Sequence, residues 1–135
     1  LAPAMQFKSL VPEQYVLVGP YHWKGRRLKD IIKNERIIDY NEHDNVTYDY
    51  LRQYNLLSEV SHRRFFVNRT DSLAHLVLEG VGYTCLAKEF VQPYVKQQKL
   101  MILNKGHVYN IYPVLAWYDR PEPPRYFSAL VDSIG

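Results

Sequence analysis

Residues 65–87, FFVNRTDSLAHLVLEGVGYTCLA, decide the predicted fold because they contain a strand, a capped helix and a second strand in succession. The apolar start predicts a strand over 64–68, and the polar run TDS at 70–72 supplies side chains that cap a helix. Gly80 is typical of a helix C-terminus, and the apolar run after it predicts a strand over 81–87.

The rest of the chain continues this alternation on both sides. Strands are predicted at 14–19, 36–40 and 109–118, and helices at 27–33, after Asn45, at 88–98 and after the Pro123-Pro124 pair. Strands that alternate with helices predict an α/β fold, here a mostly parallel five-stranded sheet with helices on both faces.

Composition limits the classes of protein to which the chain can belong. With 135 residues, 47% of them hydrophobic, the chain has enough apolar surface for one folded core. A net charge of +3 does not by itself indicate nucleic-acid binding. The single Cys85 cannot form an internal disulfide, which is typical of a reducing compartment. The chain has no apolar run of about 20 residues, no signal-peptide pattern and no initial Met, so we expect a piece of a longer cytoplasmic protein that does not enter a membrane.

Several stretches together resemble the effector-binding domain of LysR-type transcriptional regulators. The segment 65–87 resembles that family's strand, polar cap, helix and GxG turn. QYVLVGPYHWKGRRL at 14–28 is similar to its strand followed by an "hPLAGR"-like loop, with Trp23 where a small apolar residue is usual. ERIIDY (35–40), VLAW (114–117) and residues 120–130 match later strands and the last helix. The family commonly has a Pro after the fourth strand, where this chain has Ala87-Lys88.

The resemblance implies a type 2 periplasmic-binding-protein-like fold and a sensing role. Residues 13–112 correspond to the second subdomain, and residues 1–12 and 113–135 to hinge strands and the return segment of the first. The intact protein would bind DNA through an N-terminal helix-turn-helix that is absent here. It would form a homodimer or homotetramer through the strand at 64–68 and the helix at 70–79, and a small-molecule effector would control its binding to DNA.

The start of the third helix is the principal candidate for effector binding, comprising Asn68, Arg69, Thr70, Asp71 and Ser72. Helix N-termini attract anions through free N–H groups and the positive end of the helix dipole. From the residues alone, simple capping of the helix is the favoured interpretation. The resemblance favours a ligand site, because the equivalent turn faces the effector cleft in that family. Asp71 would oppose a pure anion, so an amino acid fits better.

Tyr40 and Leu86 are the remaining candidates for effector binding. Tyr40 ends the second predicted strand at the same sheet edge, although a Tyr half-buried under a loop explains it equally well. Leu86, with Ala87, would flank the cleft with backbone groups.

No residues point to catalysis, a cofactor or a metal. Cys85 lies in an apolar run, where a thiol is usually an inert small hydrophobe. Glu42-His43-Asp44 are adjacent, and adjacent side chains rarely face one ion. We therefore expect no enzyme activity. A solute-binding protein of a transporter shares the fold and is the alternative function.

Two basic clusters, at 24–29 and at Arg63-Arg64, admit two interpretations. They are candidates for contact with nucleic acid or parts of a solvated surface. The second interpretation is favoured, because basic and aromatic residues are not interleaved as in an RNA platform.

Overall fold

The computed structural model describes residues 11–112, which pack around one long strand. β1 (Glu13–Pro20) is buried from Tyr15 to its end. Its sequence, EQYVLVGP, lacks polar alternation after Tyr15, as expected for a strand covered on both faces. The buried strand predicted at 14–19 is therefore confirmed.

Four helices and five further strands follow β1 within the described residues. The helices are α1 (Leu28–Asn34), α2 (Val46–Gln53), α3 (Thr70–Leu78) and α4 (Lys88–Lys96). The strands are β2 (Ile38–Asp39), β3 (Phe65–Phe66), β4 (Thr84–Ala87), β5 (Leu100–Ile102) and β6 (Val108–Ile111). Between residues 11 and 112, no helix has the length and apolar character needed to cross a bilayer.

The main sheet is formed by strands on both sides of β1. β4 pairs with one edge, with Tyr15 opposite Ala87, whereas β6 and β5 pair with successive parts of the other edge. All three pairings are antiparallel. The N–H of Leu103 donates to the carbonyl of Leu17 at 2.7 Å, so the segment from β5 to β6 follows β1 along most of its length.

The prediction of a mostly parallel five-stranded sheet is wrong in strand direction and in strand number, because the described strands form one four-stranded and one two-stranded sheet. Among the described residues, only the β2–β3 pair and the single bridge between Ile37 and Tyr83 are parallel. The prediction assumed that each helix connects neighbouring strands that run the same way. Instead, β1 pairs with strands that come last in the described sequence. The α/β class itself is confirmed.

Helices cover both faces of the sheet, as predicted, because alternate residues of β1 belong to different cores. Tyr15 and Leu17 pack in a core with residues of α1 and α2. Val16 and Val18 pack in a second core with residues of α3 and α4.

Gly82 allows β2 to approach the segment that leads into β4. The N–H of Tyr83 donates to the carbonyl of Arg36 at 2.9 Å, and the N–H of Ile38 donates to the carbonyl of Tyr83 at 2.8 Å. A Cβ on Gly82 would lie 2.1 Å from the Arg36 oxygen. Only glycine fits this close approach, which gives the predicted GxG turn its physical reason.

The C-terminal part differs from the prediction by one additional strand. β5, with the sequence LMI, was not predicted, because so short an apolar run is indistinguishable from a helix end. The strand predicted at 109–118 corresponds to β6 as far as Ile111. Residues 113–118, the last predicted helix and residues 1–10 lie outside the described residues.

Candidate functional site

The strand directions bring several chain segments to one edge of the fold, which we call the carboxyl edge (residues 11–13, 40–45, 67–72 and 87–89). β2 runs parallel to β3 and, through the Ile37–Tyr83 bridge, to the segment that enters β4. Their carboxyl ends therefore lie at one edge, together with the start of the antiparallel β1. α3 and α4 begin there, so free helix N–H groups lie at this edge, where ligands bind in many α/β folds.

The predicted ligand residues 68–72 connect β3 to α3 at the carboxyl edge. Asn68, Arg69 and Asp71 are exposed, and Thr70 and Ser72 are partly buried. The carboxylate of Asp71 accepts the N–H of Ser72 at 2.9 Å and lies 3.0 Å from the Arg69 guanidinium. The sequence predicted that the negative charge of Asp71 would oppose an anion. The neighbouring Arg69 balances this charge, so Asp71 opposes an anion less than predicted.

The ionisation of Asp71 follows from these two contacts. The side-chain hydrogen bonds from Arg69, and then the backbone hydrogen bond from Ser72, hold the pKa of Asp71 below its usual value. Both contacts favour the carboxylate. The α3 N-terminus consequently presents a positive and a negative group side by side.

The two remaining predicted ligand residues differ in their accessibility. Tyr40 is partly buried, and its N–H donates to a carboxylate oxygen of Asp44 at 3.1 Å. Leu86 is 1% exposed and packs in the core with α3 and α4, while its backbone pairs opposite Val16. The structure thus brings Tyr40 to the carboxyl edge and does not bring the Leu86 side chain to any opening.

A concavity of about 480 Å³ lies at the β1 end of the carboxyl edge. It is lined by Val11, Pro12, Glu13, Gln14, Ala87, Lys88 and Glu89. Neither Tyr40 nor residues 68–72 line it. The resemblance assigned Val11 and Pro12 to a hinge strand, but nothing in the sequence pattern distinguished Lys88 and Glu89 from an ordinary first helical turn.

Burial raises the pKa of Glu13 above its ordinary value of 4.5. The negative charge of Glu89 raises this pKa further, whereas the hydrogen bond donated by the hydroxyl of Tyr15, at 3.4 Å, lowers it. Two carboxylates therefore face one concavity, and one of them holds its proton more firmly than a free glutamate does.

A buried polar network beneath the carboxyl edge was missed by sequence reasoning. Asp39, Thr47 and Thr84 are each 0% exposed. The hydroxyl of Thr47 donates to Asp39 at 2.8 Å and accepts the N–H of Cys85 at 3.2 Å. Thr47 and Thr84 hydroxyls lie 3.4 Å apart. The available signal was Asp39 itself, an acidic residue that directly follows the apolar Ile37-Ile38 pair.

Arg64 supplies the cation for this network. Its guanidinium lies 3.0 Å from the Asp39 carboxylate, and it donates to the carbonyls of Asp44 and Glu42 at 2.7 and 3.0 Å. The guanidinium carbon lies 4.3 Å from the centre of the Tyr48 ring. A planar group with five donors suits this arrangement, which ties β2, β3 and the 40–45 loop together.

Asp44 caps α2, a role that the sequence assigned to Asn45. The Asn45 side chain makes no capping hydrogen bond, whereas the Asp44 carboxylate accepts the N–H of Val46 at 3.2 Å. Glu42 and His43 are exposed. Within residues 11–112, no three side chains of the metal-binding types come together to hold an ion.

Comparison with known proteins finds likeness only at the level of structure. No protein-family model and no curated protein matches the sequence. The C-terminal domains of a LysR family protein from Agrobacterium tumefaciens match at TM-score 0.62 and 17% identity, over 76% of this chain and 53% of that chain. The regulatory domain of MetR, a LysR family regulator from N. meningitidis, matches at TM-score 0.55 and 17% identity, over 75% of this chain and 50% of that chain. The regulatory domain of HypT from Salmonella typhimurium matches at TM-score 0.53 and 15% identity, over 70% of this chain and 48% of that chain.

These matches establish the fold. The chain has the periplasmic-binding-protein-like fold of LysR-family regulatory domains, as the resemblance in sequence predicted. It spans about half the length of the structures that it matches.

Arg64→Met should destabilise the protein by about 3 kcal/mol, because it leaves the buried Asp39 carboxylate without the Arg64 guanidinium. Urea denaturation of the full chain measures this change in the free energy of unfolding. Adding Asp39→Asn to Arg64→Met should recover part of the loss, because the buried charge is then removed.

Arg52→Met is the matched control, because Arg52 and Asp49 form an ion pair on the surface, with side chains 63% and 38% exposed. It should cost less than about 1 kcal/mol. Equal losses for the two single variants would contradict the role assigned to Arg64.

Glu89→Gln should lower the pKa of Glu13 toward 4.5, because it removes a like charge. NMR titration of the Glu13 carboxyl measures this pKa directly.

The raised pKa of Glu13 also predicts how stability depends on pH. As pH rises from 4.5 through the raised pKa, the unfolded state ionises Glu13 first, so the free energy of unfolding should fall across that interval. Glu13→Gln should remove this fall, and Glu79→Gln, on the exposed end of α3, should not affect it. A Glu13 that titrates at or below 4.5 would contradict the burial of this carboxyl.

Proposed function

We propose that this chain is the ligand-sensing part of a LysR-type transcriptional regulator and binds a small metabolite at its carboxyl edge. One observation supports this proposal above the others: a regulatory-domain fold in which two helix N-termini meet at a single edge. The proposal assigns residues 13–112 to the second subdomain of the effector-binding domain. The metabolite would bind between this edge and the first subdomain.

The chemistry of the carboxyl edge favours a zwitterion as the metabolite. The α3 N-terminus offers backbone N–H groups and the hydroxyls of Thr70 and Ser72 to a carboxylate. At the same turn, the Asp71 carboxylate offers an acceptor to an ammonium group. An α-amino acid carries both groups, whereas a simple anion would engage only the first.

The proposal includes the properties that such a regulator requires. Its DNA-binding segment would be a helix-turn-helix outside this sequence, and its location would be the cytoplasm. It would have no enzyme activity. Metabolite binding would favour one hinge angle between the subdomains through unequal affinity for two states, and this change would reposition the DNA-binding helices.

The β3 edge supports the proposed homodimer or homotetramer. Among the described residues, β3 pairs only with β2, so its outer edge has backbone groups available. Phe65 and Phe66 on this strand are 42% and 44% exposed. Exposed aromatic side chains beside an open strand edge are typical of a surface that a second copy covers.

Titration of the ¹⁵N-labelled intact regulator, with both subdomains present, with each standard α-amino acid tests the ligand class. At least one amino acid should shift the amide signals of residues 68–72. Thr70→Val should then weaken its binding about tenfold, the effect of losing one hydrogen bond to a charged group. Thr70→Ser keeps the hydroxyl and should retain most of the affinity.

Two results would contradict this site. One is the absence of amide shifts with every amino acid tested. The other is a Thr70→Val protein that binds as tightly as the wild type while its melting temperature is unchanged.

A further inference from the structure

Basic residues from two separate parts of the sequence lie on neighbouring segments of the fold. The Ser61 hydroxyl donates to the carbonyl of Lys33, so the segment before β3 lies against the end of α1. β2 and β3 then pair with Ile38 opposite Phe65. Arg36 lies two residues before Ile38, and Arg63 lies two residues before Phe65.

These residues form what we call the basic surface: Lys29, Lys33, Arg36 and Arg63. All four are exposed, and Lys29 and Lys33 are one helical turn apart. Among the described residues, none of the four forms an ion pair with a carboxylate. Like charges that lie close together repel, so this arrangement favours an anion that neutralises them.

The local charge is large relative to that of the whole chain. Residues 24–36 contain six Lys and Arg against two acidic residues, a net charge of +4, whereas the entire chain carries +3. Both acidic residues contact one side chain, since Arg26 lies 2.9 Å from Asp30 and 2.7 Å from Glu35. These two carboxylates therefore already have a cationic partner of their own.

We propose that the basic surface contacts the phosphate backbone of duplex DNA, as a second DNA contact in addition to the helix-turn-helix. A group of cations that outnumbers the nearby acidic residues suits the regularly spaced phosphates of a duplex. The choice of DNA rests on the proposed function, under which this chain belongs to a DNA-binding protein.

The basic surface lies at the opposite end of β2 and β3 from the carboxyl edge. Arg36 and Arg63 precede these strands, whereas Tyr40 and residues 68–72 follow them. Contact with DNA therefore leaves the metabolite edge open. The two proposals can accordingly be tested by variants that do not overlap.

Fluorescence anisotropy of the full chain with a labelled duplex of arbitrary sequence, at low salt, tests the proposal. The triple variant Lys33→Gln, Arg36→Gln, Arg63→Gln should weaken binding about tenfold or more. The slope of log K against log salt should fall by about 0.9 for each phosphate contact removed. The control triple Lys96→Gln, Lys99→Gln, Lys105→Gln removes the same charge from exposed sites elsewhere and should change the affinity little. Melting temperatures verify that both variants are folded.

Three results would overturn the proposal. They are no binding by the wild type at low salt, equal weakening by the two triples, and tighter binding of labelled poly-glutamate than of DNA, which would indicate an acidic protein partner. Neither triple should change the amino-acid titration at residues 68–72. Failure of that titration alone would count against metabolite sensing and leave the DNA contact intact.

Discussion

The burial of β1 on both faces, with partner strands along both edges, is the constraint on which the other elements depend. Tyr15 and Leu17 belong to one core, and Val16 and Val18 belong to the other. Without this strand, neither layer of helices would have these apolar side chains to pack against. Because β4 runs against β1, the end of one meets the start of the other. The carboxyl edge is a direct consequence of that pairing.

The polar network beneath this edge connects the sheet to the loops above it. Asp39 and Arg64 lie in a region that excludes most water, where an ion pair with well-aligned hydrogen bonds holds its members in one geometry. The Arg64 guanidinium also donates to the carbonyls of Asp44 and Glu42 in the loop. The 40–45 loop is thereby held beside the start of α3, so the network positions the proposed metabolite site without being part of it.

Local features could be predicted from the sequence, whereas pairing could not. Strong periodicity predicted β1 and α1 to α4 close to their observed bounds, and the GxG motif predicted the turn that Gly82 makes possible. Strand direction depends on contacts between residues far apart in the chain, which no local pattern contains. For the site, the run 68–72 was visible as a helix start. The concavity and the contact of Asp39 with Arg64 were not, because both bring together residues from separate segments.

The sheet and its helices therefore form a frame with two chemically different ends, one proposed for a metabolite and one for DNA. Amide hydrogen exchange of the full chain tests this frame most directly. The amides of Val16, Leu17 and Val18 should exchange only through global unfolding, with a free energy equal to that from urea denaturation, and those of residues 68–72 should exchange much faster. Exchange of the β1 amides by local opening, as fast as those of β3, would contradict the claim that β1 holds the fold together.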